Sequence, residues 1–186
     1  MALTPSNMMP LGTIAPDFTL PDTISDKKYS LADLKGPKGL LITFICNHCP
    51  FVIHIIDQYT QLLNEFSEQG IGCVAISAND VISHPDDHPE KMKIMAQKQG
   101  FKFPYLYDET QVVAKAYEAA CTPDFLLFDS QLKCVYRGQF DEAKPSNNKP
   151  VTGKDLRQAL TSLVAGQPIS TKQVPSMGCN IKWKHA

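Results

Sequence analysis

The hydrophobic positions of the chain alternate between two periods. From Leu40 to Ile45 it reads LLITFI, a continuous apolar and β-branched run too short for a helix, which predicts a central strand buried on both faces. From Phe51 the period becomes helical: Phe51, Val52, Ile55, Ile56, Tyr59, Leu62, Leu63 and Phe66 form one apolar stripe. His54, Asp57, Gln58, Gln61 and Glu65 take the other side, and Gly70 ends the helix. Cys73 to Ile76 reads as a second buried strand, followed by a long polar loop from Ala78 to His88. Pro89 suits the first turn of a helix running to about Gln99 and closed by Gly100.

Shorter elements complete the pattern. Phe18 and Leu20 face Tyr29 and Leu31 across a turn-rich segment, which predicts a small N-terminal β-hairpin. Tyr105 to Tyr107 is a short strand and Gln111 to Tyr117 a short helix. Phe125–Phe128 and Cys134–Arg137 form two strands joined at Asp129-Ser130-Gln131, and Leu156 to Val164 lies on a last helix. Residues 1–16 read as an irregular arm and 167–186 as a tail, with one domain spanning 1–186. Strands alternating with helices, then two adjacent strands, predict an α/β sandwich with a mixed sheet.

Composition narrows the function classes. In 186 residues, 43% are hydrophobic and 20% charged, which suits a folded globule rather than a disordered chain. The 18 Lys and Arg against 19 Asp and Glu leave no basic excess for nucleic acid or an anionic membrane. No run approaches the roughly 20 apolar residues of a membrane span, and no signal peptide opens the chain. A reducing, cytoplasmic setting is therefore expected. Six cysteines are too few for a disulfide scaffold, so paired ones point to redox or metal chemistry.

The pair is Cys46-Asn47-His48-Cys49-Pro50, set where a buried strand turns into a helix. A thiol at a helix N-terminus faces unpaired N–H groups and the positive end of the dipole, both of which favour thiolate. On this reading Cys46 is the more exposed thiol of lowered pKa and Cys49 the buried resolving one. His48 adds charge or a hydrogen bond to the thiolate, or is simply solvated. Downstream, Cys121-Thr122-Pro123 precedes an apolar strand, where a cis peptide exposes backbone groups to an extended chain.

With these motifs in place the chain resembles the redoxin branch of the thioredoxin fold, which contains the peroxiredoxins. The resemblance rests on Ala15-Pro16-Asp17-Phe18-Thr19-Leu20, Tyr29-Ser30-Leu31, C-N-H-C-P, Phe103-Pro104-Tyr105-Leu106, Cys121-Thr122-Pro123-Asp124-Phe125 and Tyr136-Arg137-Gly138. The ending Pro175-Ser176-Met177-Gly178-Cys179-Asn180-Ile181-Lys182-Trp183 also matches a peroxiredoxin-like group of thioredoxin-family proteins. It implies a thioredoxin-like three-layer sandwich with a mixed central sheet. It also implies an oxidoreductase with Cys46 attacking and Cys49 resolving, and a substrate platform formed by Asn47, His48, Thr122 and Pro123. No cofactor beyond the redox-active disulfide is implied. The expected partners are a protein or small-molecule disulfide and a thiol reductant such as thioredoxin or glutathione.

The sequence departs from thioredoxin in two ways. Ile45 stands where a tryptophan precedes the first cysteine, and LLITFI lacks the buried acid that accepts a proton from the second; another group or water must do so. A histidine in the second position of the dipeptide is shared with disulfide-forming enzymes. The expected potential thus lies between their value of about −120 mV and thioredoxin's of about −270 mV.

Other readings stay open. In a redoxin alignment Cys49 takes the peroxidatic position, but the residue three before it is Cys46 rather than a hydroxyl, and neither Arg137 nor Arg157 is well placed to polarise a peroxide. Structural zinc would recruit Cys46, Cys49, Cys121 and Cys179, or His48 and His54, without a second C-x-x-C; no metal is expected. A non-enzymatic interaction module leaves the dithiol unexplained. Cys73 and Cys134 read as apolar filler. Cys121 and Cys179 are possible auxiliary thiols; Cys179 either folds back over the site or packs with Trp183, with packing expected.

Overall fold

The computed structural model describes residues 3–184. In chain order the elements are β1 (Leu3–Pro5), β2 (Thr19–Pro21), β3 (Lys28–Ser30), α1 (Leu31–Leu34), β4 (Gly39–Phe44), α2 (Pro50–Ser67), β5 (Ile71–Ser77), α3 (Pro89–Gln99), β6 (Tyr105–Tyr107), α4 (Val112–Ala116), β7 (Cys121–Thr122), β8 (Asp124–Asp129), β9 (Cys134–Tyr136), α5 (Lys154–Val164) and β10 (Met177–Asn180). A single 3-10 turn, Pro85–Asp87, interrupts the loop before α3.

The main sheet runs β6-β5-β4-β8-β9, parallel from β4 to β6 and antiparallel from β4 through β8 to β9. Every residue of β4 is buried, as its unbroken apolar run requires. The period-two alternation of strands divides these residues between two cores. Leu41 and Ile45, with Cys73, Phe125 and Leu127, pack among the apolar residues of α2 and α5. Leu40, Ile42 and Phe44 turn the other way, to the N-terminal hairpin, α1 and α4. The exception is Thr43, whose hydroxyl is satisfied by Tyr59 Oη at 2.6 Å and the Val74 carbonyl at 3.2 Å.

Helix α2 starts at Pro50, where a missing N–H costs no intrahelical bond, and Cys49 is its N-cap. Helix α3 ends on Gly100 at φ 74°, a left-handed cap as the sequence predicts.

The two termini differ from the sequence reading. The arm is not wholly irregular, and neither is the tail: β1 and β10 pair with each other, and β10 pairs in turn with β7, all antiparallel. The three strands have two to four residues each and come from distant parts of the chain, so no local alternation announces them. Gly178 permits the contact, because a Cβ there would stand 1.9 Å from the Thr122 carbonyl oxygen. The resulting register sets Cys179 opposite Thr122. Among the described residues, no helix is long and apolar enough to cross a membrane.

Candidate redox site

Three cysteines meet at the junction of β4, α2 and the small terminal sheet. Cys46 and Cys49 lie on the turn from β4 into α2, Cys179 on β10, and all three are buried. Cys46 Sγ is 3.4 Å from Thr122 Oγ1. Cys49 Sγ is 3.2 Å from the Thr122 carbonyl oxygen and 2.8 Å from Cys179 Sγ, in a thiol–thiol hydrogen bond. The Thr122-Pro123 peptide is cis. Thr122 of the sequence-predicted platform thus stands beside both cysteines, with Pro123 following it across the cis bond.

The electrostatics run opposite to the sequence reading of Cys46. That reading set the helix end against Cys46, yet the helix begins one residue after Cys49, so Cys49 receives its N-terminal field. Cys49 is lowered to about 5, first by a hydrogen bond from Cys46 and then, against the cost of burial, by Cys179, Thr122 and the Val52 N–H. Cys46 is raised by the same hydrogen bond, by burial and by the negative charge of Asp87. Within the reduced pair the helix N-terminus thus favours charge on Cys49, and burial beside Asp87 disfavours it on Cys46. Nor is Cys46 the more exposed member in any useful sense, since the two are 1% and 0% exposed.

Asp87 went unrecognised in the sequence. It lies at the end of the 3-10 turn, fully buried, and organises the whole C-N-H-C turn. Its Oδ1 accepts the Asn47 N–H at 2.8 Å, while Oδ2 accepts Asn79 Nδ2 at 2.8 Å and meets His48 Nδ1 at 2.7 Å. The Asn47 side chain donates to the Asp86 carbonyl at 2.8 Å and accepts from Tyr105 Oη at 3.2 Å. His48 stacks on His84 with ring centroids 4.9 Å apart. The available signal was position alone: the loop follows β5, a parallel neighbour of β4, so it opens at the same sheet end as the cysteines.

Cys46, His48 and Asp87 also bring a sulfur, a ring nitrogen and a carboxylate oxygen within 4.8 Å of one another, the group among the described residues that could hold an ion. Both Asp87 oxygens are already engaged, which fits a positioning carboxylate. The zinc set considered from sequence does not assemble. Cys121 turns its thiol to the Pro123 carbonyl at 3.7 Å, and burial raises its pKa. Cys73 and Cys134 are pushed up by burial, to about 12 and about 11, as suits filler.

Cys179 folds back over the site, against Cys49 Sγ at 2.8 Å, while the Trp183 ring lies under Lys115 Nζ at 5.7 Å. Neither arginine reaches the thiols by a hydrogen bond. Arg137 is fully buried, giving Nε to Ser6, Nη1 to the Tyr117 carbonyl, and Nη2 to the Glu118 carbonyl and Asp124. Arg157 pairs with Glu65 at 2.8 Å.

Comparison with known proteins agrees with this chemistry. The profile of the AhpC/TSA family matches residues 11–137. A crystal structure of an uncharacterized conserved protein from Geobacillus kaustophilus is 52% identical, with a TM-score of 0.98, covering 100% of this chain and 98% of that one. "Putative peroxiredoxin Rv2521" of Mycobacterium tuberculosis is 29% identical over 117 residues, 63% of this chain and 69% of that protein. The thiol-disulfide oxidoreductase ResA of Halalkalibacterium halodurans is 27% identical over 125 residues, 67% of this chain and 65% of that one.

Proposed function

The chain belongs to the AhpC/TSA family, a redox enzyme of thioredoxin-like fold, and within that family we propose that it catalyses thiol–disulfide exchange through Cys46 and Cys49. The observation that carries the proposal is that both thiols of the C-x-x-C turn stand against Thr122, Cys46 Sγ 3.4 Å from its hydroxyl and Cys49 Sγ 3.2 Å from its carbonyl oxygen, with both arginines engaged elsewhere.

Cys46 attacks one sulfur of a substrate disulfide laid along Thr122-Pro123. Its proton passes to Cys49, whose thiolate the start of α2 favours, and the substrate S–S bond breaks to release one thiolate. Cys49 gives up that proton to the released sulfur. It then attacks Cys46 Sγ, releasing the second substrate thiolate and leaving a Cys46–Cys49 disulfide. A thiol reductant of the thioredoxin or glutathione class returns the pair to the dithiol. Cys49 thus supplies the proton-accepting function that the apolar β4 lacks, and Asp87 with His48 holds the turn in register.

A second reading has its own observation. Cys49 at the N-cap of α2, lowered to about 5, has the charge a peroxide-reducing thiol needs. Against it stand the absent hydroxyl three residues earlier and the engaged Arg137.

A glutathione redox titration, read by thiol trapping and peptide-mapped mass spectrometry, separates the two. Exchange predicts a reversible Cys46–Cys49 disulfide with a potential between about −270 and −120 mV. Peroxide consumption that survives Cys46→Ser unchanged, with no Cys46–Cys49 bridge at any potential, overturns exchange in favour of the peroxidase.

A further inference from the structure

Cys49 has sulfur neighbours on two sides. Cys46 lies at the other end of the same turn, its Sγ sharing Thr122 as a neighbour, and Cys179 Sγ lies 2.8 Å away on β10. That distance is well inside nonbonded contact for two sulfur atoms, against about 2.05 Å for a disulfide bond. The approach is built by the backbone: the Cys179–Thr122 register and the close passage of Gly178 over the Thr122 carbonyl fix the strand at this depth. Beyond the cysteine, Lys182 N–H donates to Asn79 Oδ1 at 2.8 Å and its carbonyl accepts from Asp80 N–H at 2.8 Å and Gln111 Nε2 at 2.9 Å. The tail is thus fastened on both sides of Cys179.

We propose that Cys179 is a second resolving thiol, making Cys49 the shared sulfur of two alternative disulfides. The inference rests on the exchange reading above. Once the Cys46–Cys49 disulfide has formed, the Cys179 thiolate attacks Cys49 Sγ. A Cys49–Cys179 bond forms, the Cys46–Cys49 bond breaks, and Cys46 leaves as a thiolate that takes up the proton Cys179 lost. One disulfide becomes another, with no added oxidant or reductant.

The resting environment supports this order. In the reduced site Cys179 is pushed up to about 12, by burial first and then by its hydrogen bond to Cys49 and the Cys49 charge; Lys182 and the Phe51 N–H act the other way. Oxidation of Cys49 removes the second and third of these causes. Cys179 thus becomes easier to ionise in the state in which it must attack. The exchange ties β10 to the start of α2 and returns Cys46 as a free thiol while the oxidised state is stored beneath it.

The test is disulfide mapping of full-length wild type, Cys46→Ser and Cys179→Ala after equilibration with oxidised glutathione, with circular dichroism to establish folding. The proposal expects both Cys46–Cys49 and Cys49–Cys179 peptides in wild type, Cys49–Cys179 alone in Cys46→Ser, and Cys46–Cys49 alone in Cys179→Ala. A folded Cys46→Ser protein whose Cys49 and Cys179 never bridge overturns it. So does a bridge in that variant with none in wild type, since Cys179 then fails to displace Cys46. Loss of Cys46–Cys49 from Cys179→Ala is a separate result: it overturns the exchange reading itself.

Discussion

Asp87 meets His48 through a 2.7 Å contact between Oδ2 and Nδ1, and the same buried carboxylate accepts the Asn47 backbone N–H. One side chain from the loop after β5 thereby sets both residues between the two cysteines. Its charge also helps to keep the proton on Cys46.

Replacing Asp87 with Asn keeps the volume but turns an amide donor toward groups that already donate. The His48 ring and the Asn47 turn lose their anchor, while the charge that raises Cys46 disappears. We expect exchange to slow by up to about a hundredfold, the scale of a misplaced reacting group. The loss should fall on kcat, and alkylation of Cys46 should move to lower pH. Unchanged kcat with an altered melting temperature would make Asp87 a purely structural residue.

The lowered Cys49 gives a pH dependence of definite sign. Its folded value of about 5 lies below the ordinary 9.0, so its thiolate contributes stability that is present above the ordinary value and lost as pH falls through about 5. The raised Cys46 acts oppositely: its contribution is present below the ordinary value and lost as pH rises above it. Reduced protein should therefore gain stability between about pH 5 and 9 and lose it beyond. Ultraviolet thiolate absorbance should titrate near 5 in wild type and shift upward in Cys46→Ser, which lacks the main hydrogen-bond donor. An unshifted midpoint in that variant would remove Cys46 as the cause.

Gly178→Ala addresses the tail. The added Cβ would collide with the Thr122 carbonyl, a backbone atom that cannot swing away, so β10 must lift. Steric insertion of this kind costs about 1–3 kcal/mol. Alkylation of Cys49 and Cys179 should accelerate together, because Cys179 on β10 and Cys49 at the start of α2 cover each other. A melting temperature that drops with no change in alkylation would separate tail packing from the site.

How far the sequence reveals this molecule depends on the range of the signal. LLITFI and the stripe from Phe51 to Phe66 are local patterns, and both become the elements they predict. The C-N-H-C-P turn and Thr122-Pro123 are likewise visible, and the fold brings them together. β1, β7 and β10 are too short to carry a period, and they pair residues far apart in the chain. Asp87 is one acid of an adjacent pair in a polar loop; only burial distinguishes it from Asp86. The opposite shifts of Cys46 and Cys49 come first from the interaction of the two thiols and then from burial and from neighbours distant in the chain, such as Asp87 and Cys179, which no linear pattern displays.

Arg137 and Asp124 form a fully buried ion pair at 3.0 Å, and burial raises the Asp124 carboxyl in spite of the arginine. Removing one member leaves the other charge without its partner in the interior. We expect Arg137→Met to lose about 3–5 kcal/mol in urea unfolding. Replacing both, as Arg137→Met with Asp124→Leu, should recover part of that loss, because no buried charge remains. Recovery should be incomplete: the Tyr117 and Glu118 carbonyls and the Ser6 hydroxyl lose donors, each orphaned group costing about 1–3 kcal/mol. Ser6 follows β1, whose partner β10 carries Cys179, so the pair also anchors the small sheet over the thiols. If Arg137 instead served to bind peroxide, the folded double variant would lose peroxide consumption while keeping its disulfide exchange. The structural assignment expects exchange, measured on the folded fraction, to persist, and any peroxide consumption to stay in constant proportion to it.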